Sequence, residues 1–191
     1  MFVVMENNGV IPIARVSCND SVEIKRVMDA GAYGVVVPMI NSPDDAKKAI
    51  EAVKYPPQGK RGIGFARAQG YGERFSEYKE LINDNSVVIC QIETKEAIEK
   101  IDAIAAVKGL DGLFIGPYDI SGSYGVLGEL TDPQVIKAEE KVLTASRKYN
   151  IPAGIHVVHP WFEDLQDKFN NGFKIIAYGV DMVLLSTSCN K

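Results

Sequence analysis

The feature that most constrains this chain is a rhythm of short, unbroken apolar runs separated by amphipathic stretches. Gly34 to Ile40 (GVVVPMI), Val87 to Ile92 and Gly112 to Ile115 carry almost no polar residue. Strands that read as continuous β-branched runs are buried on both faces, which is the condition of a parallel sheet covered by helices. The intervening segments have helical signals. Asn19 to Asp29 has Asn19, Asp20 or Ser21 to cap it and Ile24, Val27 and Met28 as its apolar stripe. Ser42-Pro-Asp-Asp opens a helix that runs to Val53, with proline in the first turn and acids at the positive end of the dipole. The same reading gives strands at Gly9 to Val16, Ile151 to Val158 and Ile175 to Leu185, the last interrupted at Gly179. Helices are predicted over Phe75 to Asn83, Thr94 to Val107, Asp132 to Tyr149 and Trp161 to Asn170. Tyr55 to Tyr71 reads as a long loop, and Ser121 to Leu130 (SGSYGVLGEL) as a glycine-rich one.

The fold class is therefore α/β with parallel strands. Pattern alone leaves two architectures open. Six strands are too few for a closed eight-stranded barrel, and a doubly wound sheet remains compatible. Against the latter, no strand runs directly into a GxGxxG turn.

With 191 residues, 46% of them hydrophobic, the chain suits a single domain over residues 1–191. A net charge of −4 lacks the basic footprint of a nucleic-acid binder. No apolar run reaches the ~18 residues of a membrane span, and Met1-Phe-Val-Val-Met lacks the length and basic flank of a signal peptide. Cys18, Cys90 and Cys189 are odd in number and far apart, which argues against structural zinc and a disulfide framework. They are expected to be mostly buried thiols in a reducing cytoplasm.

Two carboxylates stand out. Gln91-Ile-Glu-Thr and Gly116-Pro-Tyr-Asp119 each close an apolar run, so Glu93 and Asp119 fall at the ends of neighbouring strands. In a parallel barrel that face carries the chemistry. Two hard oxygen donors there suit Mg2+ or Mn2+, with water and substrate completing the shell; each also suits a helix or turn cap. Arg15 closes the first strand, where a guanidinium fork can bind an oxo-acid oxygen or pair with an acid. Lys60, Arg61, Gly62 and Gly64 lack the P-loop form and read as a loop that shapes a pocket. Arg67 is open to a distal carboxylate or to solvent. His156 and His159 are the only histidines. Imidazole suits proton transfer, though a packed His156 and a loop His159 is the plainer reading. Most lysines fall at polar positions, which disfavours a Schiff-base mechanism.

Six motifs then occur in one order: Ile13-Ala-Arg-Val, Val37-Pro-Met, Tyr55-Pro-Pro-x-Gly-x-Arg-Gly-x-Gly64, Gln91-Ile-Glu-Thr, Gly112-Leu-Phe-Ile-Gly-Pro-x-Asp-Ile-Ser121 and Gly179-Val-Asp-x-x-Leu-Leu185. Together they resemble the HpcH/HpaI aldolase family, metal-dependent pyruvate aldolases, over essentially the whole chain. The resemblance implies a TIM-type barrel and a divalent metal (Mg2+, Mn2+ or Co2+). It implies cleavage or formation of 2-oxo-acid aldols through a pyruvate enolate, with an aldehyde as second partner, in a homo-oligomer. Carried over, Glu93 and Asp119 match the metal ligands and Arg15 the enolate-stabilising arginine. Gln91, the Tyr118 main chain and Asp119 match substrate contacts. Asp29 matches an acid that raises the basicity of the family's catalytic histidine.

That histidine is where the chain departs. The family places it in an Asp-x-Glu-His motif closing the second strand, and this sequence has none. The resemblance thus implies a barrel without its first two βα units and without its terminal helix, either a truncated paralogue or a fragment. Open edges at the Ile13 and Val183 strands are expected to be covered by another chain. A non-catalytic chain that retains only metal or keto-acid binding is the alternative.

Overall fold

The computed structural model describes residues 1–189. Its frame is one sheet of six parallel strands: β1 (Ile13–Arg15), β2 (Gly34–Val37), β3 (Val87–Ile92), β4 (Gly112–Ile115), β5 (Ala153–Val157) and β6 (Ile175–Tyr178). They lie side by side in chain order. A doubly wound sheet reverses its strand order at a switch point, so the sequential order excludes that architecture and gives the wall of a barrel. Among the described residues β1 and β6 pair with β2 and β5 alone. The sheet is accordingly an open half-barrel, not a closed one.

The connections carry α1 (Phe2–Asn7), α2 (Ser21–Asp29), α3 (Pro43–Val53), α4 (Phe75–Asn85), α5 (Lys95–Glu99), α6 (Ile101–Ala105), α7 (Pro117–Ser123), α8 (Pro133–Tyr149), α9 (Phe162–Asn170) and α10 (Asp181–Cys189). Side-chain caps fix where several of them begin. Asp20 accepts from the Val22 and Glu23 N–H groups, Ser42 from Asp45, Thr94 from Ala97 and Asp132 from Gln134. Each such cap is worth about 1 kcal/mol. The core lies between sheet and helices. Val35, Val37, Val88, Cys90, Ile92, Leu113, Ile115 and Ile155 face Ile24, Met28, Ala49, Val53, Ile104 and Val142, all fully buried.

Because successive strand residues face opposite sides, Val36, Ile89, Gln91, Phe114 and His156 point to the other face. On that face Ile89 and Phe114 are buried. The sheet encloses them by curling. Gly154 makes the close approach possible, since a Cβ there would stand 2.6 Å from Phe114 Cδ2 and 2.9 Å from Ile175 Cβ.

Four expectations are corrected. The helix over Thr94 to Val107 breaks at Lys100 into α5 and α6. The glycine-rich loop begins at Tyr124 and not at Ser121, because α7 starts at Pro117, which suits a first turn, and runs to Ser123. Val180 to Leu185 does not extend β6: Gly179 turns at φ 75°, and Asp181 then opens α10 at its favoured dipole end. A helix thus follows the last strand, and the far sheet edge is β6, not a strand at Val183. Finally, only Cys90 is buried; Cys18 and Cys189 are exposed.

Candidate active site

β3 and β4 are inner strands whose ends are level, with Ile92 opposite Ile115. The next residues, Glu93 and Gly116, emerge side by side. Gly116 N–H donates to the Ile92 carbonyl at 3.1 Å. Asp119 follows in the first turn of α7. A Cβ on Gly116 would lie 3.2 Å from Asp119 Oδ2, 3.3 Å from Gln91 Nε2 and 3.3 Å from Glu93 Cβ. Gly116 is thus the floor of a cradle on which the Gln91, Glu93 and Asp119 side chains converge, and any side chain at 116 would fill it.

A hydrogen-bonded relay runs through the cradle. Arg15 Nε donates to Gln91 Oε1 at 3.4 Å, and Gln91 Nε2 donates to Glu93 Oε2 at 2.6 Å. Glu93 Oε1 accepts from the Met39 main-chain N–H at 2.7 Å. Glu93 is 4% exposed. Burial raises its carboxyl above the ordinary value; the Met39 N–H opposes this, the Asp119 charge adds to it and Arg15 counters it. A second cationic charge at this position would relieve both the burial and the repulsion between the acids. Tyr118 and Asp119 are both exposed, on a first turn whose main-chain N–H groups have no intrahelical acceptor. Among the described residues no third His, Cys, Asp or Glu joins the carboxylate pair.

The structure brings Arg15, Gln91, Glu93, Asp119 and Tyr118 to this pole, and Asp29 is absent from it. Asp29 ends α2, at the pole where strands begin. There it accepts from Arg61 Nη2 at 2.6 Å and pairs with Lys25. The Arg61 side chain is fully buried, 4.6 Å over the Tyr55 ring and bonded to Tyr78. The expected catalytic role of Asp29 finds no partner in this geometry; it neutralises a buried guanidinium. The Lys60–Arg61 loop is structural for the same reason, and Arg67 is spent on Glu6 and the Ala30 carbonyl. His156 Nε2 lies 3.3 Å from the Gly179 carbonyl, and His159 stacks on Trp161. Lys54 is buried, but its ammonium is held by the Asn83 and Ser86 carbonyls.

The sequence profile described as HpcH/HpaI aldolase/citrate lyase matches residues 4–188. The chain belongs to this family. Among curated HpcH/HpaI relatives, a 4-hydroxy-2-oxo-heptane-1,7-dioate aldolase of Shigella flexneri is 38% identical over 92% of the chain and 65% of that protein. A hydroxypyruvate/pyruvate aldolase of Sagittula stellata is 37% identical over 92% of the chain and 69% of that protein. The chain thus spans about two thirds of the length of these relatives. Among solved structures, an HpcH/HpaI aldolase/citrate lyase family protein of Burkholderia cenocepacia superposes with a TM-score of 0.93 at 29% identity. That match covers 99% of this chain and 75% of the other.

Two contributors escaped the sequence reading. Gly116 was visible only as part of a motif, and its closeness to Gln91 and Asp119 depends on strand register. Met39 contributes a main-chain N–H, for which a side-chain motif has no symbol.

Proposed function

We propose that this chain is a divalent-metal-dependent aldolase, a carbon–carbon lyase acting on 2-oxo acids through a pyruvate enolate. The convergence of Glu93 and Asp119 over Gly116, beside the Arg15–Gln91 pair, carries the reading. The donor set fits a hard cation: two carboxylates beside the Gly116 floor, with water and substrate oxygens left to complete the shell. Glu93 and Asp119 would hold the ion. When bound, the cation supplies Lewis-acid stabilisation of negative charge on the oxo acid.

The chain's own groups do the rest. Arg15, with Nε committed to Gln91, presents its remaining N–H groups to the enolate oxygen. Gln91 fixes that guanidinium and Glu93 at once. The Tyr118 main chain and Asp119 orient the substrate carboxylate. The partners are a small 2-oxo acid and an aldehyde. Among the described residues no helix is long and apolar enough to cross a membrane. The proposed place of action is the cytoplasm.

One observation favours a second reading, binding without turnover. Neither histidine is free beside Glu93, since His156 meets the Gly179 carbonyl and His159 packs on Trp161. Exchange of the pyruvate methyl protons with solvent, followed by NMR with added Mn2+ or Co2+, separates the two. The aldolase reading expects exchange in the wild type and none in Glu93→Ala. Exchange that survives Glu93→Ala refutes the metal assignment. Pyruvate and Mn2+ binding without exchange establishes the second reading.

A further inference from the structure

The turn that leaves β2 is strained, and the strain points at the candidate site. Met39 adopts φ 54°, the left-handed region that side chains other than glycine, asparagine and aspartate seldom occupy. Nothing about its own side chain demands this, because that side chain is 55% exposed. Its neighbours are the opposite: Val37, Pro38 and Ile40 are buried. They hold the turn from both sides and leave Met39 facing out, with its N–H facing in. That N–H ends 2.7 Å from Glu93 Oε1.

The turn is also stapled to the end of β3. The Ile40 N–H donates to the Gln91 carbonyl at 3.3 Å, and Thr94 Oγ1 bonds Asn41 Oδ1. Asn41 N–H and Ser42 Oγ in turn donate to Asp45. The exits of two neighbouring strands are thereby fixed to each other on either side of Glu93. A strained residue held in place by its surroundings, at the rim of a polar cluster, is how folds store precise geometry.

We infer that Met39 is a positioning residue: its left-handed turn aims a main-chain N–H that holds Glu93 in the orientation needed to ligate a divalent cation. The other Glu93 oxygen is fixed by Gln91, so the carboxylate is clamped at both oxygens, each keeping a lone pair for the ion. This rests on the metal-site reading proposed above and adds a residue to it. Glycine would serve the turn as well as methionine, since glycine accepts φ > 0 without cost. Proline would not, because it fixes φ near −65° and has no N–H.

The test is Mn2+ affinity, measured by electron paramagnetic resonance of free Mn2+ against the full chain, with melting recorded beside it. Three variants are compared with wild type: Met39→Gly, Met39→Pro, and a chain in which the Pro38–Met39 amide is replaced by an ester. The ester exchanges the N–H for an oxygen, which removes the donor and retains the side chain, so it keeps the test decisive where Met39→Pro fails to fold. A charge-assisted hydrogen bond to a ligating carboxylate corresponds to roughly tenfold in affinity. Met39→Gly is expected within about twofold of wild type, and the ester about tenfold weaker at a nearly unchanged melting temperature. Wild-type affinity in a folded ester variant overturns the role of Met39 and leaves the metal site standing. No Mn2+ binding in the wild type overturns both.

Discussion

Placing one methyl group in the cradle tests whether its shape holds a cation. In Gly116→Ala the backbone (φ −104°, ψ 89°) is open to any L-residue, so the change introduces no conformational strain. The steric demand is specific. The new Cβ would stand 3.2 Å from Asp119 Oδ2 and 3.3 Å from both Gln91 Nε2 and Glu93 Cβ. Non-bonded heavy atoms rest at about 3.5–4.0 Å, so each neighbour has to yield by at least roughly 0.2–0.3 Å. Metal–ligand distances tolerate only about 0.2 Å. Asp119 is exposed and moves most easily, so the fold loses no more than about 1–2 kcal/mol to overpacking. The site loses more, an expected 10- to 100-fold in Mn2+ affinity, comparable with the effect of disturbing groups that orient metal ligands. Titration calorimetry with Mn2+ on wild type and variant, with thermal melting alongside, reads both numbers. A Gly116→Ala protein that binds Mn2+ as tightly as wild type would mean that the two carboxylates do not share an ion.

Three further outcomes follow from the buried groups. Burial raises Glu93, so in the metal-free protein its folded carboxyl binds protons where the unfolded one has released them. Its contribution to stability is present below the unfolded pKa and is lost as pH rises through the folded one; urea melts of wild type against Glu93→Gln should diverge in that direction. Cys90 is pushed up to about 12 by burial, and the hydrogen bond to Glu23 raises the exposed Cys18, so iodoacetamide at neutral pH should label Cys189 and, more slowly, Cys18, and spare Cys90 until the chain unfolds, as read by mass spectrometry. Asp29→Asn leaves the buried Arg61 without its ionic partner and should cost about 3 kcal/mol while leaving Mn2+ affinity unchanged. Lost pyruvate exchange at undiminished stability would instead return Asp29 to the reaction.

Much of this fold is readable in the chain because local signals and tertiary structure agree. The boundaries of β3 are those of its apolar run, and Asp20, Ser42 and Asp132 cap the helices that their spacing predicts. Glu93 and Asp119 are readable as a pair because strand ends in a parallel sheet share one pole. The rest fails for physical reasons. Val180 to Leu185 has strand-like composition, and only the turn at Gly179 makes it helical. Asp29 and Arg61 lie 32 residues apart, and no local pattern joins them. The left-handed Met39 follows a proline in an apolar run and carries none of the glycine or asparagine that marks such turns.

The site is also unevenly supported, and this separates two functions that the proposal joins. Glu93 and Asp119 leave β3 and β4, whose residues are almost all buried. Arg15 leaves β1, a short edge strand with exposed residues at both ends, and its hold on the cluster is a single 3.4 Å bond to Gln91. The opposite edge is no better covered. β6 is part-exposed, α9 and α10 bury no residue, and Trp161, Phe162, Phe169, Met182 and Leu185 are exposed. Local opening begins where burial is least. Fraying of the edges therefore costs Arg15, proposed to stabilise the enolate, before it costs the carboxylate pair. Mn2+ binding should persist under mild urea that already abolishes exchange at pyruvate C3, and whatever covers β1 should raise turnover more than it raises metal affinity.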